Sequence, residues 1–143
     1  MTIEKRDNFI NRILSVQSND KAKFGQMNVS QMICHCTDQF RMMFGEIKGL
    51  KRQNVDLKKL KEMAIKNETL PTVDGLDQAA GGGTKPTVFE NDKKLLIDYL
   101  KRFTECDENY NFSFHPYLEV IGQEQWERLA VQHLDHHLSQ FNR

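Results

Sequence analysis

The residues of this chain best suited to chemistry are its histidines, because three of the five lie close together at positions 133, 136 and 137. In a helix, residues four positions apart share a face, so His133 and His137 lie one turn apart on it, while His136 points roughly a quarter of a turn away. The apolar residues Trp126 and Phe141 fall in the same sector as His133 and His137. Two imidazoles on a buried face need hydrogen-bond partners or a shared ion. Because zinc, nickel and copper all bind imidazole, the pattern predicts a divalent-metal site.

A third ligand is expected from the second predicted helix. His35 lies at the edge of the apolar stripe of that helix, where a side chain faces a neighbouring helix. His115 is the reserve ligand, although it lies in a loop next to Pro116. The neighbouring thiols Cys34 and Cys36 are not expected to join His35, because residues two apart point about 200° away from each other around a helix.

The two-histidine spacing also has a simpler interpretation. The histidines are then structural, either buried and hydrogen-bonded or exposed on a helix surface, since two histidines four apart also occur by chance. Leu134 stands where a zinc protease would have glutamate, and Gly81-Gly82-Gly83 lacks the lysine and hydroxyl residue of a phosphate-binding loop. The sequence therefore indicates a metal site without a familiar catalytic signature.

The elements that position these residues are predicted to be helices, so the fold class is all-α. Apolar residues at helical spacing predict four or five segments: four at about 3–16, 28–44, 91–106 and 123–141, and a shorter charged one at 56–67 as the fifth. Asn28 and Gln31 have the spacing of a capping box at the start of the second segment. Residues 70–89 are rich in glycine and proline and are expected to form a long loop, which either spans the bundle as a connection or has a function of its own. Four main helices with one long crossover between the second and third predict a four-helix bundle.

Composition limits the classes of partner. The 143 residues fit a single domain spanning 1–143, with 20 basic and 20 acidic residues and no net charge. Binding to nucleic acid or to a membrane surface is therefore not expected. A local basic group is interpreted as a solvated helix face; it comprises Lys48, Lys51, Arg52, Lys58, Lys59 and Lys61. An odd number of cysteines, three, and a charged N-terminus without an apolar signal block indicate a cytoplasmic protein with reduced thiols.

The histidine pattern resembles the DinB/YfiT-like superfamily of small metalloproteins. Residues 133–141 read HLDHHLSQF, residues 124–126 read EQW and residues 115–119 begin with HP, as in a branch of that superfamily without an assigned function. Residues 27–44, which contain His35, are similar to the corresponding helix. Two loop positions depart from the branch: Glu119 stands where glycine is frequent, and Gly122 where serine or threonine is usual.

The resemblance implies a four-helix bundle in which the second and last helices supply a three-histidine metal site from His35, His133 and His137. It also implies a homodimer and, as in thiol-dependent transferases and an isomerase of the superfamily, a divalent metal such as zinc or nickel with a low-molecular-weight thiol. On the residues themselves, Asp135 and His136 are expected to be outer partners of the site, and Gln140 to orient a ligand or water.

Two functions follow as hypotheses. In the first, a metal-bound thiolate or hydroxide attacks a small electrophilic substrate, so that the protein is a transferase or hydrolase. In the second, the protein is a binding or interaction module in which the histidines hold metal without turnover or are purely structural.

Overall fold

The computed structural model describes all residues from 1 to 143, and it is all-helical with no β-strand. It contains five α-helices and one short 3-10 helix. The α-helices are α1 (Ile3–Ser15), α2 (Val29–Met43), α3 (Leu57–Ile65), α4 (Phe89–Thr104) and α5 (Gln123–Ser139), and the 3-10 helix is Gln78–Ala80. The all-α prediction is confirmed. None of the helices has the length and apolar character that crossing a membrane requires.

Helix α2 begins where the capping pattern predicts. The Asn28 side chain accepts a hydrogen bond from the Gln31 N–H at 2.9 Å, and the Gln31 side chain accepts one from the Asn28 N–H at 2.9 Å. These two bonds pair backbone donors that have no partner inside the helix. At α5, the N–H of Gly122 donates to Oε1 of Gln125 at 3.2 Å, which is the half of a capping box that needs no side chain at the N-cap.

Helix α2 is the central element of the fold. It packs against α4 and α5, and α1 packs against the same two helices. Apolar residues of α2 that face the core are fully buried, including Met32, Ile33 and Phe40. Cys36 is also fully buried, as expected for a small core residue. A helix surrounded in this way must also bury its polar residues, and His35 and Asp38 are both buried.

The 44–88 segment joins α2 to α4 and is more ordered than a simple loop. Leu50 and Asp74 exchange two backbone hydrogen bonds of 3.0 and 2.8 Å, which close the first part of the segment. Val73, Leu76 and Gln78 are buried. The predicted helix at 56–67 is shorter in the structure, because Asn67 has a φ of 56° and a helix cannot continue through that conformation.

Candidate metal centre

The structure brings His35, His133 and His137 together between α2 and α5. One ring nitrogen from each lies within 4.8 Å of the others, and Nε2 of His133 is 2.9 Å from Nε2 of His35. The centroids of the three rings are 4.5 to 4.7 Å apart. Two residues one turn apart on α5 and one on the facing helix are sufficient to build this cluster, which we call the histidine cluster.

The protonation of the histidine cluster suits a metal ion. Burial lowers the pKa of His133 well below its ordinary value, and the neighbouring imidazoles His35 and His137 lower it further. Burial also lowers the pKa of His137 to about 4 and lowers the pKa of His35. All three rings are therefore neutral at pH 7, and neutral imidazole is the form that binds a metal.

The spacing of the Nε2 atoms also fits an ion, whereas two Nδ1 atoms lack partners whether or not an ion is bound. Nδ1 of His35 and Nδ1 of His133 are buried and have no hydrogen-bond partner of regular geometry, although the backbone of Leu76 lies close enough to raise the pKa of His35 in part. Two nitrogens bound to one tetrahedral zinc lie about 3.3 Å apart, close to the observed 2.9 Å between Nε2 atoms. Three imidazole nitrogens are therefore suitable ligands for a metal ion of intermediate hardness such as zinc or nickel.

The third imidazole is oriented by Gln140. Nδ1 of His137 donates to Oε1 of Gln140 at 2.8 Å, which leaves Nε2 as its free nitrogen. The segment before α2 holds Gln140 in place: the Lys23 N–H donates to the Gln140 carbonyl at 2.8 Å, and a Cβ on Gly25 would lie 2.6 Å from Nε2 of Gln140. Since Gly25 has a φ of 86°, glycine is required there both by conformation and by space.

A cavity of about 200 Å³ opens onto the histidine cluster. One wall comes from α2 and α5, through residues that include Gln39, Met42, Leu129 and Gln132. The other wall comes from the 44–88 segment, whose contributing residues are Thr69, Leu70, Pro71, Thr72, Val73 and Leu76. The 70–89 loop, for which the sequence left a connecting or a functional role open, thus forms a wall of this cavity. No lysine or arginine lines the cavity.

His115 also lines the cavity but stands outside the histidine cluster. The turn that carries it is closed by two backbone hydrogen bonds of 2.8 Å, which His115 and Glu119 exchange. Glu119 has a φ of 66°, a conformation in which glycine is unstrained and other residues cost about 1 kcal/mol.

The other predicted outer residues are placed differently from one another. His136 lines the cavity, and its ring packs against His137 and Phe24. Asp135 is 63% exposed and pairs with Arg12 of α1 at 2.8 Å, and it is not among the residues that line the cavity. Neither Cys34 nor Cys36 belongs to the histidine cluster, and burial raises the pKa of the Cys34 thiol to about 12.

Sequence reasoning missed Asp38, which lies one turn after His35. Its carboxylate accepts hydrogen bonds from the Thr84 N–H at 2.7 Å and the Thr84 hydroxyl at 2.5 Å, and Arg41 lies 3.6 Å away. We call this the Asp38–Thr84 junction. It fastens the 44–88 segment, and with it one wall of the cavity, to α2. The available signal was an acidic residue inside the apolar pattern of α2, three positions from His35.

Comparison with known proteins places the chain in a family but not near any characterised protein. No curated protein and no solved structure is significantly similar to it. Residues 1–143 match the family described as "Protein of unknown function (DUF1569)". The chain therefore belongs to this DinB/YfiT-like family over its whole length.

Proposed function

We propose that the protein is a divalent-metal enzyme in which His35, His133 and His137 hold the ion and the cavity above them binds a small electrophile. The proposed reaction is thiol transfer: the sulfur of a low-molecular-weight thiol forms a bond to carbon, the leaving group departs with the carbon–heteroatom electron pair, and the thiol proton goes to solvent. The proposal includes a DinB-type four-helix bundle of α1, α2, α4 and α5, with the 44–88 segment as its crossover.

The observation that carries this proposal is the combination of three neutral imidazoles whose nitrogens converge on one point and a cavity that opens onto them. Nε2 of His35 and Nε2 of His133 lie 2.9 Å apart, and Gln140 engages Nδ1 of His137, so all three rings can present Nε2 to one ion. An ion explains why three imidazoles remain side by side in a site that disfavours their charged forms.

A divalent ion with three neutral imidazole ligands keeps a position open and lowers the pKa of a thiol or water bound there. The chain itself contributes orientation and exclusion of water. Gln140 fixes the tautomer of His137, so Nε2 of His137 presents a lone pair. Leu70, Val73 and Leu76 give the cavity an apolar wall, which suits a small and largely apolar electrophile.

No carboxylate is available in the cavity as a general base. Asp38 is the only acidic residue that lines it, and both of its oxygens accept hydrogen bonds from Thr84. Activation of the nucleophile by lowering its pKa, and not by proton abstraction with a carboxylate, therefore agrees best with the residues present.

A second candidate is a structural histidine cluster without turnover. The observation that favours it is the contact of 2.9 Å between Nε2 of His133 and Nε2 of His35, which satisfies both atoms if one ring donates and the other accepts. In this case the rings hold α2 and α5 together in the absence of any ion.

The test is a coupled measurement of metal binding and thiol transfer. Protein loaded with zinc or nickel is incubated with glutathione or free cysteine and an alkyl halide, and release of halide is followed. We expect turnover that is lost in the His137→Ala variant and after chelation. Stoichiometric metal without turnover on any thiol and halide pair would favour a binding module, and a protein that takes up no metal would favour the structural cluster.

A further inference from the structure

A second opening, which we call the α3–α5 groove, lies beside the cavity of the histidine cluster. It has a volume of about 320 Å³, and its walls come from the end of α3, from residues 118–121 and from the N-terminal half of α5. Leu129 and Gln132 line both the groove and the cavity. The two openings therefore share part of one wall.

The other two walls also pass from the groove into the cavity along the sequence. Residues between 61 and 67 line the groove, and residues 69–73 line the cavity. On the remaining side, residues between 118 and 121 line the groove while His115 lines the cavity. Since all three wall segments contribute to both openings, the groove is an extension of the cavity.

Helix α5 sets the distance between the groove and the histidine cluster. Arg128 lines the groove and His133 belongs to the cluster five positions later, which is an advance of about 7.5 Å along the helix axis. Where the two openings meet, the Gln132 side chain donates a hydrogen bond to the Asn67 carbonyl and joins their walls. A ligand of about this length spans from the groove to the three imidazoles.

The α3–α5 groove is apolar and open to solvent. Val120 and Ile65 are 85% and 73% exposed, the largest fractions among the exposed large apolar side chains of the protein, and both line the groove. Leu118, Ile121 and Leu129 add to its apolar lining. Apolar side chains gathered in a concave surface are typical of a binding site, whereas single exposed ones need no explanation.

The charged residues that line the groove are both basic. They are Lys61 and Arg128, and no acidic side chain lines the groove. Lys61 pairs with Glu119 at 3.2 Å and Arg128 with Glu124 at 3.7 Å. Exposed pairs of this kind contribute little free energy, so both cations remain able to hold an anion. The cavity itself has no lysine or arginine, so a negative charge on a ligand is favoured in the groove.

From these placements we propose that the α3–α5 groove binds the electrophile, which is an alkyl chain of medium length with a carboxylate at one end and a leaving group at the other. Lys61 and Arg128 hold the carboxylate, and the alkyl chain packs on Val120 and its apolar neighbours. In the reaction the thiol sulfur bonds to the terminal carbon, the leaving group departs with the electron pair of its bond to carbon, and the thiol proton goes to solvent. This inference rests on the proposed function, since it names the substrate class of the same site.

Octanoate serves as the probe of the groove. Its binding is measured by titration calorimetry and by the NMR shifts of the Ile65 and Val120 methyl groups, with and without added zinc. We expect these signals to shift and octanoate to bind at least about tenfold more tightly than octylammonium, because the two differ in the sign of their charge. Unshifted methyl signals, or equal affinity for the two probes, would overturn the inference.

A charge placed in the groove tests the site directly. Val120→Asp puts a carboxylate beside the alkyl chain at an exposed position, so the fold should be retained, and we expect octanoate to bind at least about tenfold more weakly. Val88→Asp is the matched control, since Val88 is 60% exposed and lies outside the groove. It should bind octanoate as the unmodified chain does. Equal loss of binding in both variants, or loss in neither, would contradict the assignment.

A second copy of this chain is the competing occupant of an exposed apolar groove. Analytical ultracentrifugation of the unmodified chain and of Val120→Asp distinguishes the two. We expect the same oligomeric state in both proteins. A dimer that Val120→Asp dissociates would show that the groove is a contact between chains, and the inference would be wrong.

Turnover separates this inference from the proposed function. With zinc and glutathione, we expect kcat/KM for 8-bromooctanoate to exceed that for bromoethane by at least about tenfold, because binding energy from the alkyl chain and the carboxylate adds to transition-state binding. If the two bromides react equally well, the inference is wrong and thiol transfer stands. If octanoate binds in the groove but no zinc is taken up and neither bromide reacts, the proposed function fails, and with it the role of the groove in catalysis.

Discussion

Helix α2 carries two buried polar groups one turn apart, His35 and Asp38, and they are treated in opposite ways. Both carboxylate oxygens of Asp38 accept hydrogen bonds from Thr84, and Arg41 lies nearby. Nδ1 of His35 has no regular partner, and its Nε2 faces another imidazole. A buried group that the protein satisfies completely holds structure together. One whose remaining ring nitrogen meets other neutral imidazoles beside a cavity can bind an ion.

The largest effect is expected when the satisfied group is removed. Asp38→Ala leaves the Thr84 N–H without its acceptor and detaches one wall of the cavity, so we expect the free energy of unfolding to fall by about 3 kcal/mol. Urea denaturation measures this. Asp38→Asn, which retains an acceptor, should lose about half as much. A loss under about 1 kcal/mol for the alanine variant would mean that the junction is not structural.

A further buried histidine at the cavity, His115, is probed by pH. Burial lowers the pKa of His115 to about 4 in the folded protein, so the unfolded chain binds a proton at this ring at higher pH. Stability is then fully present above about pH 6.5 and is lost as the pH falls toward 4. For His115 alone the loss between pH 7 and 5 is about 2 kcal/mol. Urea denaturation of the metal-free protein at pH 7 and pH 5 measures this loss, which should be correspondingly smaller in the His115→Phe variant. An equal loss of unfolding free energy in the variant and the unmodified chain would contradict the prediction.

A smaller effect is expected at the residue that orients His137. Gln140→Leu removes the acceptor of the Nδ1 proton, and we expect metal affinity to fall about tenfold, the lower end of the effect of losing such a partner. Competition with a metal-binding dye measures the change. Gln140→Glu keeps an acceptor at the same position and should bind metal at least as tightly as the unmodified chain. Equal loss in both variants would show that Gln140 acts only through packing.

The smallest effect is expected at Asp135, which the sequence suggested as an outer partner of the site. Its carboxylate is exposed and pairs with Arg12. We expect Asp135→Ala to change the free energy of unfolding by no more than about 0.5 kcal/mol and to leave metal content unchanged. A clear loss of metal in this variant would show that Asp135 supports the metal site, and would contradict the view that it serves only in the ion pair with Arg12.

The sequence predicts those parts of this arrangement that depend on local spacing. The four-residue separation of His133 and His137 fixes their common face, and the Asn28–Gln31 pattern fixes the start of α2. The sequence suggests Gln140 as a residue that orients a ligand or water; in the structure it hydrogen-bonds the ring of His137, three positions earlier, so its contact is with a cluster residue.

The remaining features depend on contacts between distant residues. Asp38 and Thr84 are separated by 46 positions, and no periodicity relates them. The cavity wall from the 70–89 loop is fixed by this junction and not by helical spacing, so its glycines and prolines alone did not reveal a function. The position of His115 at the cavity likewise depends on a turn closed by backbone hydrogen bonds to Glu119, whose φ is 66°.

The most direct test of the account is the metal content of the protein purified without a histidine tag, measured beside His35→Ala, His137→Ala and Asp38→Asn. We predict nearly one divalent ion per chain in the unmodified protein and in Asp38→Asn, and loss of the ion in both histidine variants. An unmodified protein without metal, and with a melting temperature unchanged by added zinc or nickel, would contradict the account and leave a helical protein whose histidines are structural.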